Sequence, residues 1–335
     1  MRLADERWGL KPLNSNGLKV VDLFCGAGVG AVGFLLAGYD IVYAFDNNPH
    51  AVETYNLNIG PHAVVADARK ISANDFPQAD VYVGGFPCTS YSVGGAGKGQ
   101  TDKKTGDLAS HFFRLINEGR PRAFVMENVG GLITQKHKAY FDALMKDFED
   151  IGYEISWAYI NCHEHGVPQL RQRVFAVGIQ KQEGKRFEFP APIPVQNRTT
   201  LKDAIYDLPS PESLQSIPHV LHPIKNQDVY YDGGVSSRFT SRNRQKQWHE
   251  PSYTIVSQAR QLPIYPEPAY FDVRYREEPM PRKFTVRECL RLQTVPDSFY
   301  FPSHIPLLKQ YERCSGIPSL IAYQFGQRLA TILNG

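Results

Sequence analysis

Short apolar runs alternate with amphipathic stretches through the first half of the chain. "LKVVDLF", from Leu18, reads as a buried strand, and "VGAVGFLLAGY", from Val29, as the helix that follows. "DIVYAF" is the next strand. "NPHAVETYNLN" is the next helix, with Asn48 as its cap and Pro49 at its first position. "AVVAD", "ADVYVGG", "RAFVMEN", "YEISWAYIN" and "QRVFAVGI" read as further strands. "LASHFFRLINEG" and "KAYFDALMKDFEDIG" read as helices between them. Alternation of this kind predicts an α/β fold, a doubly wound, Rossmann-like, mostly parallel sheet. The pattern breaks at the proline-rich "FEFPAPIPVQ", and strands stay weak until "TVRECLRLQTVPDSF" resumes a helical period. The tail "IPSLIAYQFGQRLATIL" is an apolar-faced helix. The expected division is a larger α/β domain at 1–180 plus 284–335 and a smaller, irregular domain at 181–283.

Composition narrows the class. A chain of 335 residues allows about two domains. No apolar run reaches the ~18 residues of a membrane helix, and the opening stretch has no apolar h-region, so no secretory signal is expected. The five cysteines, at 25, 88, 162, 289 and 314, form no C-x-x-C pair. No disulfide framework and no metal site is expected, which fits a reducing cytosol. The net charge of +3 permits an anionic partner without demanding one. No coiled-coil pattern is visible, so a monomer is expected.

Three stretches carry chemistry. Gly28-x-Gly30-x-x-Gly33 follows a strand and opens a helix, where glycines let a ligand approach the backbone closely. Asp46, at the end of the next strand, can bind ribose hydroxyls. The loop alone fits either NAD or S-adenosyl-L-methionine. In "GGFPCTSYSVGG", Cys88 follows a strand and a proline, among glycines and hydroxyl residues. Such a turn exposes sulfur, as a reactive cysteine requires, whereas the other four cysteines read as small buried hydrophobes. "FVMENVGGL" puts Glu127 at the end of another strand, on the edge where ligands bind, as a candidate proton donor. "VPQLRQRVF" places Arg171 and Arg173 on one face at the start of a strand, where two guanidinium forks could grip a phosphate or a base carbonyl.

Together and in this order, "DLFCGAGVGAVGF", "GGFPCTSYS", "ENV", "QLRQRVF" and "FTVRECLRLQTVPDSF" resemble the motifs of the cytosine carbon-5 DNA methyltransferase family. The resemblance covers nearly the whole chain outside the irregular domain. It implies that Cys88 attacks carbon 6 of a cytosine flipped out of duplex DNA, while Glu127 protonates or hydrogen-bonds ring nitrogen 3. It implies that Arg173 contacts the flipped base and that Arg171 helps to hold it. S-adenosyl-L-methionine would lie among Phe24, Gly26, Gly28, Asp46, Asp67, Pro87, Leu108 and Ser315. The partners implied are double-stranded DNA and, in a restriction-modification system, a cognate endonuclease encoded nearby.

Two positions depart from the family pattern. Thr89 stands where glutamine usually follows the nucleophile, which bears on how the base is flipped. Cys314 and Ser315 replace Gly-Asn in the last motif, leaving Ser315 to offer a hydroxyl to the cofactor. The resemblance assigns DNA contacts to Thr89 and Ser92. In the variable region Arg238, Arg242, Arg244 and Lys246 are expected at phosphates or guanines. That region resembles those of members with short GC-rich targets such as GGCC. It lacks the Cys-Phe-Thr tripeptide of the family's transfer RNA branch. Two other readings stand beside this one: a catalytically silent DNA-binding homologue, and a nicotinamide oxidoreductase, which would explain only the glycine loop.

Overall fold

In the computed structural model, the residues described are 3–87, 107–217, 221–234, 239–241, 243–268 and 281–335. The chain runs β1 (Lys19–Leu23), α1 (Val29–Leu36), β2 (Asp40–Asp46), α2 (Pro49–Asn58), β3 (Ala63–Val65), β4 (Val81–Gly84), α3 (Leu108–Gly119), β5 (Ala123–Val129), α4 (Lys138–Asp150) and β6 (Tyr153–Asn161). It continues through β7 (Gln169–Leu170), β8 (Gln172–Gln180), α5 (Leu201–Ile205), α6 (Pro211–Leu214), β9 (Ser252–Tyr253), α7 (Val286–Leu292), α8 (Leu307–Arg313) and α9 (Ser319–Asn334). Packing divides it into two units. A sheet unit comprises Pro12–Asn161, Gln172–Ala191 and Ala322–Gly335; a second unit comprises Met1–Lys11, Cys162–Arg171 and Pro192–Ile321.

The sheet unit carries seven strands in the order β3-β2-β1-β4-β5-β8-β6. Strands β3, β2, β1, β4 and β5 pair in parallel, whereas β8 runs antiparallel to both β5 and β6. The order reverses between β1 and β4, and a ligand crevice forms beyond the carboxyl ends of strands at such a point. Side chains alternate across the pleat. Val21, Leu23, Phe124, Met126 and Val174 therefore face one core, shared with Phe112 and Leu115 of α3 and with Phe141 and Phe148 of α4. On the other face Phe175 meets Phe325 of α9 edge-on, with ring centroids 5.0 Å apart. The Tyr39 hydroxyl donates to the Gly326 carbonyl at 2.9 Å, and Arg122 donates to the Leu333 carbonyl at 2.7 Å. Helix α2 starts as its sequence predicts: the Asn48 side chain accepts from the Ala51 amide at 3.0 Å, with Pro49 in the first turn. Such a cap stabilises by about 1 kcal/mol.

The second unit is held by buried arginines. Thr285 and Glu288 form a reciprocal cap at the start of α7. Arg287 and Arg291 of that helix are buried. Arg291 forks onto the Asp297 carboxylate at 2.8 and 2.7 Å and donates to the Ala204 carbonyl at 3.1 Å. Arg287 donates to the carbonyls of Lys225 and Pro296 at 3.0 and 3.2 Å. These bonds explain why residues 284–318 pack with 192–283, although the sequence groups them with the cofactor domain. The leading segment behaves likewise: Trp8 and Leu10 are buried and Arg7 reaches Asp207 at 3.4 Å, all within this unit.

Gly178 on β8 is the direct cross-strand partner of Phe124 on β5. The Phe124 ring lies over it, so that a Cβ there would sit 2.2 Å from Phe124 Cε1. Phe124 cannot yield, because Phe148 and Tyr153 pack against it at centroid distances of 4.4 and 5.2 Å. Gly178→Ala is expected to cost about 1–3 kcal/mol of stability, the range for overpacking a core. Urea unfolding checks this, and an unchanged midpoint would contradict it.

Candidate active site

The carboxyl edge of the sheet gathers most of the candidate residues that the structure describes. Beyond β1, Phe24 and Gly26 take left-handed backbone, with φ of 55° and 54°. Gly28, at φ 92°, begins α1 with no side-chain cap. A Cβ on Gly28 would lie 3.0 Å from both Tyr55 and Ile59, so only glycine fits there without displacing them. An uncapped helix start behind a glycine turn suits a negatively charged group. Asp46 ends β2 beside this loop and is buried. Its Oδ2 accepts from the Gly26 amide at 3.1 Å and its Oδ1 from the Asn48 amide at 2.9 Å. Asp46 thus fixes the loop's shape, a role that the reading of it as a ribose ligand did not include.

Asp22 on β1 is a second acid here, and it was missed in the sequence because it looks like part of an apolar strand. It is buried. Burial, and next the charge of Asp46, push its carboxyl up to about 8. Tyr55 and Cys25 lie in the same electrostatic neighbourhood. Cys25 is half-buried, whereas Cys162, Cys289 and Cys314 are buried as expected. Asp67 follows β3, half-buried, and its Oδ1 accepts from the Arg69 amide at 3.0 Å. Leu108 is buried at the start of α3. The acids and apolar side chains at this edge fit a cofactor carrying hydroxyls, a positive centre and an apolar ring system.

Glu127 lies near the end of β5, level with the residues that follow β4. Its side chain is 13% exposed, and its Oε1 lies 2.9 Å from Nε of Arg173, itself 15% exposed. Glu127 stands opposite Phe175, and Arg173 opposite Val129. The two charges are therefore diagonal neighbours on one face of the antiparallel pair, within reach of long side chains. Gly85 leaves room for this carboxylate, since a Cβ there would sit 2.9 Å from Glu127 Oε2. Asn128, buried beside it, donates through Nδ2 to the Phe86 carbonyl at 3.3 Å, and its Oδ1 accepts from the Val129 amide at 2.9 Å. It ties β5 to the backbone that leads into exposed Pro87. The sequence presents Asn128 only as the middle of "ENV", with no signal of this bonding role. Cys88, Thr89, Ser92, Arg238 and Arg242 lie outside the described residues.

The two arginines of "QLRQRVF" do not share a strand, contrary to the pattern reading. Arg171 falls between β7 and β8, belongs to the second unit and is 2% exposed. Its Nη1 donates to the Ile255 carbonyl at 3.4 Å and lies 3.3 Å from Ser315 Oγ. Ser315, expected at the cofactor, is thus a partner of Arg171. Gln169 is also buried in this unit. It donates to the Leu292 carbonyl and, at 3.1 Å, to Gln293, and it accepts from the Ile255 amide at 3.0 Å. Arg244 donates to the Phe239 carbonyl at 3.0 Å, and Lys246 pairs with Glu250 at 2.6 Å. Both side chains therefore have partners inside their own unit.

The sheet order, the glycine turn and the acids at its carboxyl edge define the class as an α/β S-adenosylmethionine-dependent methyltransferase fold. Residues 18–324 match the family described as C-5 cytosine-specific DNA methylase, and the chain belongs to that family. It is similar to the type II methyltransferase M.FnuDI of Fusobacterium nucleatum, 32% identical over 330 residues, covering 95% of each chain. It is 35% identical over 297 residues to the type II methyltransferase M.MthTI of Methanothermobacter thermautotrophicus, covering 85% of this chain and 88% of that one. The crystal structure of the Dnmt2 methyltransferase of S. pombe shares the fold, with a TM-score of 0.68 at 18% identity over 95% of this chain and 98% of that one. The chain is thus an enzyme, a DNA cytosine-5 methyltransferase. Among the described residues no helix is long and apolar enough to cross a membrane.

Asp22 makes stability depend on pH. An unfolded aspartate releases its proton near 4, whereas in the fold Asp22 holds it up to about 8. Between these values the folded state binds the extra proton. Its contribution is fully present below the unfolded value and is lost as pH rises through the folded one. Asp22→Asn, neutral in both states, should remove this slope. Urea midpoints of the two proteins from about pH 5 to about pH 8.5 check it: the variant should gain on the parent as pH rises. Parallel curves would contradict the assignment.

Proposed function

We propose that the protein transfers a methyl group from S-adenosyl-L-methionine to carbon 5 of a cytosine flipped out of a short duplex DNA site, through a covalent adduct with Cys88. The observation that carries this reading is the Glu127–Arg173 pair at the edge where β4 leads toward Cys88. The Cys88 thiolate adds to carbon 6 of the base, and negative charge spreads to carbon 5 and ring nitrogen 3. Glu127, in its protonated form, donates a proton or hydrogen bond to nitrogen 3, which lowers the cost of that charge. Arg173 holds the Glu127 carboxyl in place and offers its remaining N–H groups to the base. S-adenosyl-L-methionine would supply an activated methyl group to carbon 5, its sulfur keeping the electrons of the broken S–CH3 bond and leaving as the neutral thioether S-adenosyl-L-homocysteine. Transfer of the carbon-5 proton to a solvent water then expels the Cys88 thiolate, and return of any nitrogen-3 proton to Glu127 restores the neutral aromatic ring. This is nucleophilic catalysis, in which one difficult step becomes two easier ones. The target base must leave the stack, because the sulfur cannot reach it inside a duplex.

Phe24, Gly26, Gly28, Asp46, Asp67, Pro87 and Leu108 would hold the cofactor. Within the second unit, Arg171 would brace Ser315 and the backbone near Ile255. That unit, with Thr89, Ser92, Arg238, Arg242, Arg244 and Lys246, would contribute the DNA contacts. Where a restriction endonuclease accompanies the enzyme, methylation would protect the host's own sites.

Purified protein should move labelled methyl from S-adenosyl-L-methionine to duplex DNA. Cys88→Ser should abolish transfer, and Glu127→Gln should lower kcat by about 10²- to 10⁴-fold, as for loss of a general acid. Full turnover by Cys88→Ser would remove Cys88 from the nucleophile's role. Stabilisation by NAD but not by S-adenosyl-L-methionine in thermal unfolding would overturn the cofactor assignment.

A further inference from the structure

The segment after β3 is stitched to α3 by three polar ties on one helix face. At the start, Arg69 forks onto the Asp107 carboxylate, with Nε to Oδ2 at 2.9 Å and Nη2 to Oδ1 at 2.8 Å. In the middle, Arg114 donates to the carbonyls of Ala68 and Ile71 at 2.7 and 2.9 Å. At the end, Glu118 accepts from Ser72 Oγ and from the Ala73 amide, both at 2.9 Å. Positions 107, 114 and 118 are spaced by seven and four residues, the repeat of a single α-helical stripe. Arg114 also pairs with Glu118 at 2.7 Å, joining two of the ties.

Arg69 does more than close the seam. Its Nη1 reaches Asp67 Oδ1 at 3.3 Å, and its amide donates to the same oxygen at 3.0 Å. One guanidinium therefore holds two carboxylates: Asp67, and Asp107 immediately before Leu108. We propose that Arg69 is a positioning residue for the cofactor, fixing Asp67 and Leu108 as two walls of one slot. This rests on the assignment of those two residues to the cofactor. An exposed ion pair between flexible side chains contributes little, but a planar two-point fork fixes direction as well as distance. Lysine, a point charge on a flexible stem, cannot reproduce the fork. Asp67 and Asp107 would also repel each other without the cation between them.

The test uses the full-length protein and titration calorimetry with S-adenosyl-L-methionine. Arg69→Ala should weaken binding by about tenfold, as expected for loss of charge-assisted hydrogen bonds. Arg69→Lys should recover only part of it. The unliganded melting temperature should barely move, because Arg69 is a third exposed and the Arg114 and Glu118 ties remain. In turnover the effect should fall on KM for S-adenosyl-L-methionine rather than on kcat. Asp107→Asn removes the same fork from the other side and should match Arg69→Ala, with the double variant little worse than either. This second variant keeps the test valid if Arg69→Ala does not fold. Unchanged affinity in both single variants, beside a parent that binds, would overturn the role of Arg69 alone. A parent that does not bind S-adenosyl-L-methionine would overturn the cofactor assignment and this inference with it.

Discussion

The proposed catalytic edge depends on the ion pair of Arg173 with Glu127. A carboxylate that is nearly closed off from water must have a counter-charge or hydrogen bonds. Here the counter-charge comes from the next strand, and strand direction decides whether it can. Because β8 runs antiparallel to β5, its first residues arrive at the carboxyl ends of the parallel strands. A parallel β8 would deliver Arg173 to the opposite edge. Gly85 keeps the space beside the carboxylate open, and Asn128 ties the same strand to the Phe86 backbone. One reversed strand, one missing Cβ and one buried amide thus set where the acid points.

The cofactor edge follows a related logic with a different outcome. Asp46 places hydrogen bonds on the amides of Gly26 and Asn48, so the acid proposed as a cofactor ligand also shapes the loop that would receive the cofactor. Burial, and next the charge of Asp46, raise the pKa of the Asp22 carboxyl on the neighbouring strand. The seam along α3 holds the segment after β3 through bonds to backbone carbonyls and amides rather than through packing alone.

Much of this was legible in the sequence, for physical reasons. The period-two and period-3.6 patterns give the sheet unit's strands and helices, and the Asn48-Pro49 start of α2 is read directly. The reversal of β8 was not legible, because "QRVFAVGI" is equally apolar in either direction. The packing of α7 with the second unit was also hidden: Arg287 and Arg291 look like surface charges until their partners at Asp297, Ala204 and Lys225 are known. Arg171 and Arg173, adjacent in motif, part because the strand begins between them. Asp22 and Arg69 were invisible for opposite reasons, one set in an apolar strand and the other in an ordinary polar turn.

The central claim is that Cys88 forms a bond to the cytosine that Glu127 and Arg173 address. Duplex DNA carrying 5-fluorocytosine tests it most directly, because fluorine at carbon 5 cannot leave as the proton does and the adduct cannot collapse. With S-adenosyl-L-methionine present, protein and DNA should remain joined under denaturing conditions, and mass spectrometry of the digest should find the modified base on the peptide containing Cys88. DNA that stays free while unsubstituted DNA is methylated, or a base attached at any other residue, would contradict the account.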